Sequence, residues 1–267
     1  MSISPEAQCH PSAVIEPGAV IGAGCEIGAF CHIGPEVRLA EQVRLDSHVV
    51  VTGTTLVGAD SRIHSFAVVG GPPQDMKYAG EPSALEIGPR ARIREHVTVN
   101  TGTAGGGGVT RIGADCLLMA GCHVAHDAQI GDRVVLVNAC AVAGHCQVGD
   151  DVIIGGLSGL HQFVRIGQGA IIGALTMVAH DVIPHGLVQA PRGALEGVNI
   201  IGLKRRGVAR ADITALMAAF QTLAQGEGSF LERAQRLGGL SDSAYVRQIV
   251  DFVTSESDRS YLTPGRD

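Results

Sequence analysis

Tryptophan is absent from the 267 residues, and aromatic residues make up only 3% of them. A compact globular core normally relies on large rings, so a chain this poor in them must bury surface in another way. Stacked layers of small aliphatics, as in a solenoid, fit a composition with 37 glycines and 45% hydrophobic residues. Excess positive charge is also missing. The net charge is −6, which removes nucleic acid as an obvious partner and makes any anion site local. No run of about 18 apolar residues occurs, so no membrane span is expected. The opening MSISPEAQCHPSAVIEPGAV lacks a basic start followed by an apolar run, so no signal peptide is expected and the cytoplasm is the default. The seven cysteines contain no CxxC pair. Six of them, Cys25, Cys31, Cys116, Cys122, Cys140 and Cys146, fall where other repeats carry Ala, Val or Ser, so they read as reduced packing groups.

What is present is a period of six. Ile112, Leu118, Val124, Ile130, Leu136, Val142, Val148, Ile154, Leu160, Ile166, Ile172 and Val178 follow one another without a gap. Helices repeat near 3.6 and flat strands near 2, so six belongs to short strands joined by tight corners, a parallel β-helix. Gly follows the aliphatic at 113, 131, 149, 155, 167 and 173, where it suits a turning backbone. The same hexad runs from Ile15 to Val69, with Ile3 and Cys9 extending it backwards. Three hexads close a triangle of 18 residues, so residues i and i+18 stack about 4.8 Å apart. Flat prism faces suit packing against further copies, and a homotrimer is expected.

Two excursions interrupt the period, at 70–86 and 100–111. The glycine run from 105 to 108 in the second reads as mobile. The β-helix is expected over residues 1–191. A C-terminal α-helical domain is expected over 192–267, with three amphipathic helices, Asp212 capping the first of them, and the domain covering the last coil.

Histidines crowd the middle coils at His123, His126, His145 and His161. The 18-residue stacking puts Gly144 on His126. That pairs a base suited to neutral pH with a backbone N–H able to approach an oxyanion. Asp127 is placed to orient the imidazole. Zinc is a rival use of such histidines. Lys204, Arg205 and Arg206 form the densest basic run and suit phosphate or an acidic partner.

The segments GPPQDMKYAGEPS, IREHVTVNTGT, LLMAGCHVAHD, AVAGHCQV, GGLSGLHQFVRIG and GVNIIGLKRRG, in this order, resemble the UDP-N-acetylglucosamine acyltransferases of lipid A synthesis. The resemblance runs to about residue 210. It implies a left-handed parallel β-helix, a hand that periodicity does not fix and that departs from the usual right-handed crossover. It implies a homotrimer without a metal, and transfer of a 3-hydroxyacyl chain from the phosphopantetheine of acyl carrier protein to the 3-hydroxyl of UDP-N-acetylglucosamine. By the resemblance, His126 is the general base, Asp127 supports it and the Gly144 N–H takes the oxyanion. Asp75, Lys77, His123, His145, His161 and Gln162 line the sugar and acyl pocket, and Asn199, Arg205 and Arg206 reach the nucleotide. Ala174 sits where relatives set acyl length, and its methyl predicts a shortened groove. Ile201 replaces an acidic residue of the family pattern, which puts one nucleotide contact in doubt. The alternatives are a coenzyme-A-dependent acetyltransferase on the same repeat, a diamino-sugar acceptor, the related N-acyltransferase, and a non-catalytic scaffold. The last would want sustained threonine rows, which are absent.

Overall fold

In the computed structural model, which describes residues 2–190 and 193–264, the hexads form three sheets of nine, eleven and nine strands. The first runs from Ser2–Ile3 to Arg165–Ile166, the second from Gln8–Cys9 to Ala194–Val198, and the third from Val14–Ile15 to Met177–Val178. Each aliphatic pairs in parallel with its counterpart one coil on, as in Ile112 with Ile130, Leu118 with Leu136 and Val124 with Val142. In most of these two-residue strands the first side chain faces out and the second is buried, giving one continuous apolar interior.

The corners correct one expectation. The glycines after the aliphatics do not make the turn. The left-handed residue comes two positions later, on Asp115, Arg133, Asp151, Leu157 and Leu175, with φ between 56° and 60°. Such a backbone costs a non-glycine residue roughly 1–2 kcal/mol, and the ladders on either side hold it in place. The glycines serve close packing between coils instead. A Cβ on Gly113 would stand 2.4 Å from Asp132 Oδ1, and one on Gly155 would stand 2.5 Å from the Ala174 nitrogen.

The cysteines are free, and six are buried. Most of these thiols donate to carbonyls of the next coil, as Cys25 to Ala40 and Cys31 to Asp46 at 3.0 Å and Cys116 to Gly131 at 3.1 Å, while Cys140 donates to the Cys122 sulfur at 3.7 Å. Burial pushes the Cys146 thiol up to about 12, so it stays a thiol.

Both excursions are narrower than expected, because the strands beside them lengthen. Thr54–Val57, Ala84–Ile87 and Val109–Ile112 pair in register over four residues each. The first loop spans 72–83 and the second 101–108. The glycine run is folded rather than loose. Ala104–Gly106 forms a 3-10 turn, and the Gly106 and Gly108 N–H groups donate to the Thr103 carbonyl at 3.0 and 2.8 Å.

The expected domain boundary at 191–192 lies outside the described residues. Gly186–Gln189 and Ala194–Val198 still belong to the second sheet, as an antiparallel pair, so helices begin only at Ile200. Four follow: α1 (Ile200–Arg205), α2 (Arg210–Gln225), α3 (Phe230–Leu237) and α4 (Ala244–Thr254). The short α1 was not foreseen. Asp212 does not cap α2, whose N-cap is Ala209. It lies in the first turn and accepts from Ser243 Oγ at 2.7 Å, tying α2 to the start of α4. The buried Asp181 fixes the C-terminal segment to the last coil. Its carboxylate accepts from Arg165 Nε and Ser257 Oγ, both at 2.6 Å, while the Arg165 guanidinium lies over the Phe252 ring at 4.6 Å.

Gly113→Ala should lower stability by about 1–3 kcal/mol, as overpacking does. Gly197→Ala, where an added Cβ meets nothing within 4 Å, should be tolerated. Urea midpoints of the two variants check the contrast.

Candidate active site

One edge of the prism, between the third and first sheets, gathers the histidines. His126 and Asp127 occupy a corner there, with Gly144 and His145 on the coil above and Gln162 and Phe163 on the next. Asp127 is wholly buried at its side chain, and His126 is nearly so. Such a carboxylate is tolerable only with its oxygens paired. Oδ1 accepts from the Thr103 backbone N–H at 2.9 Å. Oδ2 accepts from the Thr103 hydroxyl at 2.6 Å and lies 2.9 Å from His126 Nδ1. Burial alone would raise this carboxyl, but the donors outweigh it and the net shift is downward. An ionised carboxylate only accepts, so His126 Nδ1 carries a proton, and in the neutral imidazole this tautomer leaves the lone pair on Nε2.

Gly144 is required here for space. A Cβ on it would stand 2.6 Å from His126 Cε1 and 2.7 Å from Nε2. Its carbonyl accepts from the Phe163 N–H at 3.1 Å, and among the described residues no acceptor takes its own N–H. The imidazole thus packs directly on a residue whose amide has no acceptor. The glycine run has a matching reason, since a Cβ on Gly106 would fall 2.1 Å from the Asp127 Cγ. The second loop therefore seals the carboxylate from water.

His145 stacks on Phe163 at 4.4 Å between centroids and meets His126 edge-on at 5.0 Å. His123 shares a 2.8 Å hydrogen bond with Thr98 Oγ1. Burial lowers the pKa of both His123 and His145, holding them neutral. His126, Asp127 and His145 bring ligand atoms within 4.8 Å of one another. A metal among them would have to compete with the three donors on Asp127.

His161 and Gln162 lie on the coil above Gly144 and are exposed. Arg259, from beyond the last helix, reaches both. Its Nη2 is 2.7 Å from His161 Nδ1, and its Nε donates to the Gln162 carbonyl at 3.1 Å. Sequence reasoning missed Thr103 and Arg259, since pairings 24 and 98 residues apart leave no local signal. Asp75 and Lys77 project from the first loop, where the Lys77 N–H donates to Asp75 Oδ1 at 3.0 Å.

The remaining candidates lie apart from this edge. Asn199 is buried as the cap of α1, its Oδ1 accepting from Gly202 N–H at 2.9 Å and its Nδ2 donating to the Gly169 carbonyl at 3.0 Å. Arg205 and Arg206 are exposed at the end of α1, and Ile201 stands out from its first turn. Arg206 borders a pocket of about 420 Å³ with Asp151, Gly169 and His185, on the edge between the first and second sheets. One whole sheet separates that edge from His126. Ala174 is exposed at the third corner.

A three-sided coil of hexapeptides, a His–Asp pair beside an open amide and a helical cap define a hexapeptide-repeat acyltransferase. The hexapeptide transferase family matches residues 110–144, and the family described as Udp N-acetylglucosamine O-acyltransferase, domain 2, matches 181–262. The acyl-[acyl-carrier-protein]–UDP-N-acetylglucosamine O-acyltransferase of Paracoccus denitrificans is 59% identical over 76% of this chain and 77% of its own. That of Caulobacter vibrioides is 53% identical over 83% and 84%. A crystal structure of UDP-N-acetylglucosamine acyltransferase superposes with a TM-score of 0.93 at 40% identity, covering 97% of this chain and all of that one. The Campylobacter jejuni enzyme superposes at 0.91 and 35% identity, over 97% of this chain and all of its own. The chain belongs to the UDP-N-acetylglucosamine O-acyltransferase family, and its coil is the left-handed parallel β-helix.

His123, His145 and His185 all have pKa values lowered by burial. Stability should be full above about 6.5, the unfolded value, and fall as pH drops through the lower folded values. Urea midpoints at pH 7.5 and 5.5 test this, with a lower midpoint expected at 5.5.

Proposed function

We propose that this chain transfers a 3-hydroxyacyl group from the phosphopantetheine of acyl carrier protein to the 3-hydroxyl of UDP-N-acetylglucosamine, the first step of lipid A biosynthesis, in the cytoplasm. The observation that carries the reading is His126, its Nδ1 held by a buried carboxylate and its ring packed against Gly144, whose amide has no acceptor among the described residues. Nε2 takes the proton of the sugar hydroxyl as its oxygen attacks the thioester carbonyl carbon. The Gly144 N–H receives the oxyanion. The tetrahedral intermediate then expels the thiolate, which takes the proton back from the imidazolium stabilised by Asp127. Asp75, Lys77, His123, His145, His161 and Gln162 line the acceptor and acyl positions. Arg205 and Arg206 hold the nucleotide phosphates, with Asn199 holding α1 beneath them. Ala174 limits the acyl chain. No resident metal takes part, because the Asp127 oxygens are already used by Thr103 and His126.

The working unit is a homotrimer. No strand residue of the third sheet is Lys, Arg, Asp or Glu, whereas Arg38, Glu86 and Arg111 project from the first and Arg44, Arg62 and Arg92 from the second. An uncharged face of this length suits burial against a copy. The His126 and Arg206 edges are a full sheet apart in one chain, so one substrate reaches both only when they come from neighbouring copies.

Incubation with UDP-N-acetylglucosamine and a ladder of 3-hydroxyacyl carrier proteins, read by mass spectrometry, should yield an O-acylated nucleotide sugar. No product with any donor would overturn the reading, and stoichiometric zinc in elemental analysis would overturn the mechanism. His126→Ala should reduce turnover by about 10²–10⁴-fold, the range of general-base catalysis, with the oligomer intact. Mixed oligomers of His126→Ala and Arg206→Ala chains should recover activity that neither variant has alone. Absence of recovery would count against a shared site.

A further inference from the structure

Beyond α4 the chain returns to the wall and runs beside the histidine edge. Asp181 anchors it there. The Asp181 N–H donates to the Ser260 carbonyl at 2.9 Å, and the Asp181 carbonyl accepts from the Leu262 N–H at 2.7 Å, a short parallel bridge. Ser257 Oγ donates to the Asp181 carboxylate and accepts from the Arg259 N–H at 3.0 Å. Residue 259 is thereby held against the coil above Gly144. Its guanidinium is half-buried and bonds there twice, Nε to the Gln162 carbonyl at 3.1 Å and Nη2 to His161 Nδ1 at 2.7 Å.

Two hydrogen-bond patterns compete at His161. In one, Nδ1 carries the proton and donates to the Gln162 carbonyl, 3.3 Å away. In the other, Nδ1 is the acceptor. A guanidinium has only N–H groups and no lone pair, so the Arg259 contact requires the second pattern. Arg259 also takes the Gln162 carbonyl for itself, which removes the partner that would favour the first. In the neutral ring the proton then sits on Nε2, which has no partner among the described residues. His126 is held in the opposite tautomer, its Nδ1 proton turned to Asp127. Two coils apart, the same edge offers a proton acceptor at His126 and an N–H donor at His161.

We propose that Arg259 is a positioning residue, which sets His161 as an Nε2–H donor to a carbonyl or hydroxyl oxygen of bound substrate. The inference deepens the acyltransferase reading and rests on it for the substrate. Both reactants carry such oxygens, the acetylated sugar on one and the pantetheine amides on the other. A ring whose tautomer is already chosen needs no rearrangement when the substrate arrives. Arg259 reaches this position only because the Asp181 bridge returns the terminal segment to the coil.

The test compares the unsubstituted protein with Arg259→Met, which keeps the apolar stem and loses the donors, and with Arg259→Lys, which keeps a donor. Nitrogen-15 NMR of histidine-labelled protein at about pH 8, where an ordinary histidine is neutral, reads which ring nitrogen bears the proton. The His161 signals are those lost in His161→Gln. Nε2–H is expected in the unsubstituted protein and in Arg259→Lys, and Nδ1–H in Arg259→Met. In the acyl-transfer assay Arg259→Met should raise the KM of one substrate about three- to tenfold, the worth of one hydrogen bond, with kcat changed less than about twofold. Arg259→Lys should restore most of it. A rise for the nucleotide sugar places the oxygen on the sugar, and a rise for the carrier protein places it on the pantetheine. Nδ1–H in the unsubstituted protein, or Nε2–H kept in Arg259→Met, overturns the tautomer assignment. Two unchanged KM values overturn the role in substrate binding, and a lowered urea midpoint with neither readout moved leaves Arg259 a structural tie only and overturns the proposal. If the unsubstituted protein turns over no donor, the acyltransferase reading fails instead, while the NMR signal still decides what Arg259 does to His161.

Discussion

Everything in this molecule depends on the close parallel approach of each coil to the next. At 4.8 Å spacing a side chain has no freedom to drift, so each residue of a coil is locked into a column with its counterpart one coil on, 18 positions away where no loop intervenes. The approach is tightest at glycines such as Gly113, Gly131 and Gly155, just after a buried aliphatic, where a Cβ would run into the following coil. Glycine there is a consequence of distance, not of torsion. The corner two residues on takes up the torsion and accepts Asp, Arg, Leu or Phe at positive φ, because ladders on both sides leave the chain no alternative. The price is repeated at nearly every hexad, and the buried aliphatic wall offsets it.

The same column rule brings together residues far apart in the chain. His126, Gly144 and Gln162 share one column. The absent side chain at 144 is what gives the imidazole room and leaves an amide open beside it. Rigid stacking alone could not keep Asp127 ionised inside the corner. That needs donors, and the second loop supplies them by folding Thr103 over the carboxylate, with Gly106 allowing the contact. Scaffold and loop therefore divide the work: one fixes positions, the other sets charge.

The division also explains what the sequence disclosed. Period six identified the coils, and the 18-residue offset put Gly144 on His126 before any coordinates. Asp127 was legible because it is His126's neighbour. Thr103 and Arg259 were not, since their contacts follow from how a loop and a terminal segment return to the wall. The glycine run read as loose by composition, yet Gly106 is required by packing against Asp127, and Gly107 and Gly108 sit at positive φ. Asp212 read as a cap by residue type, but the cap of α2 falls three positions earlier, at Ala209, and leaves Asp212 free to bond Ser243. The NIIGLKRRG stretch showed its charge and concealed its helix, because six residues are too few for a 3.6-residue period to declare itself.

A solenoid of this kind has flat outer faces and no natural cleft, which is a difficulty for an enzyme that must exclude water from an acyl transfer. On the third sheet the outer column is reduced to Ala141 and Gly159 between apolar corners, without any departure from the repeat. That face has no roof within one chain. The uncharged character of the same face supplies a reason for a second copy to lie against it. A copy burying that face would supply the roof. Assembly and the exclusion of water would then answer to one surface, and a change that loosened the packing of copies would be felt first as lost protection of the thioester.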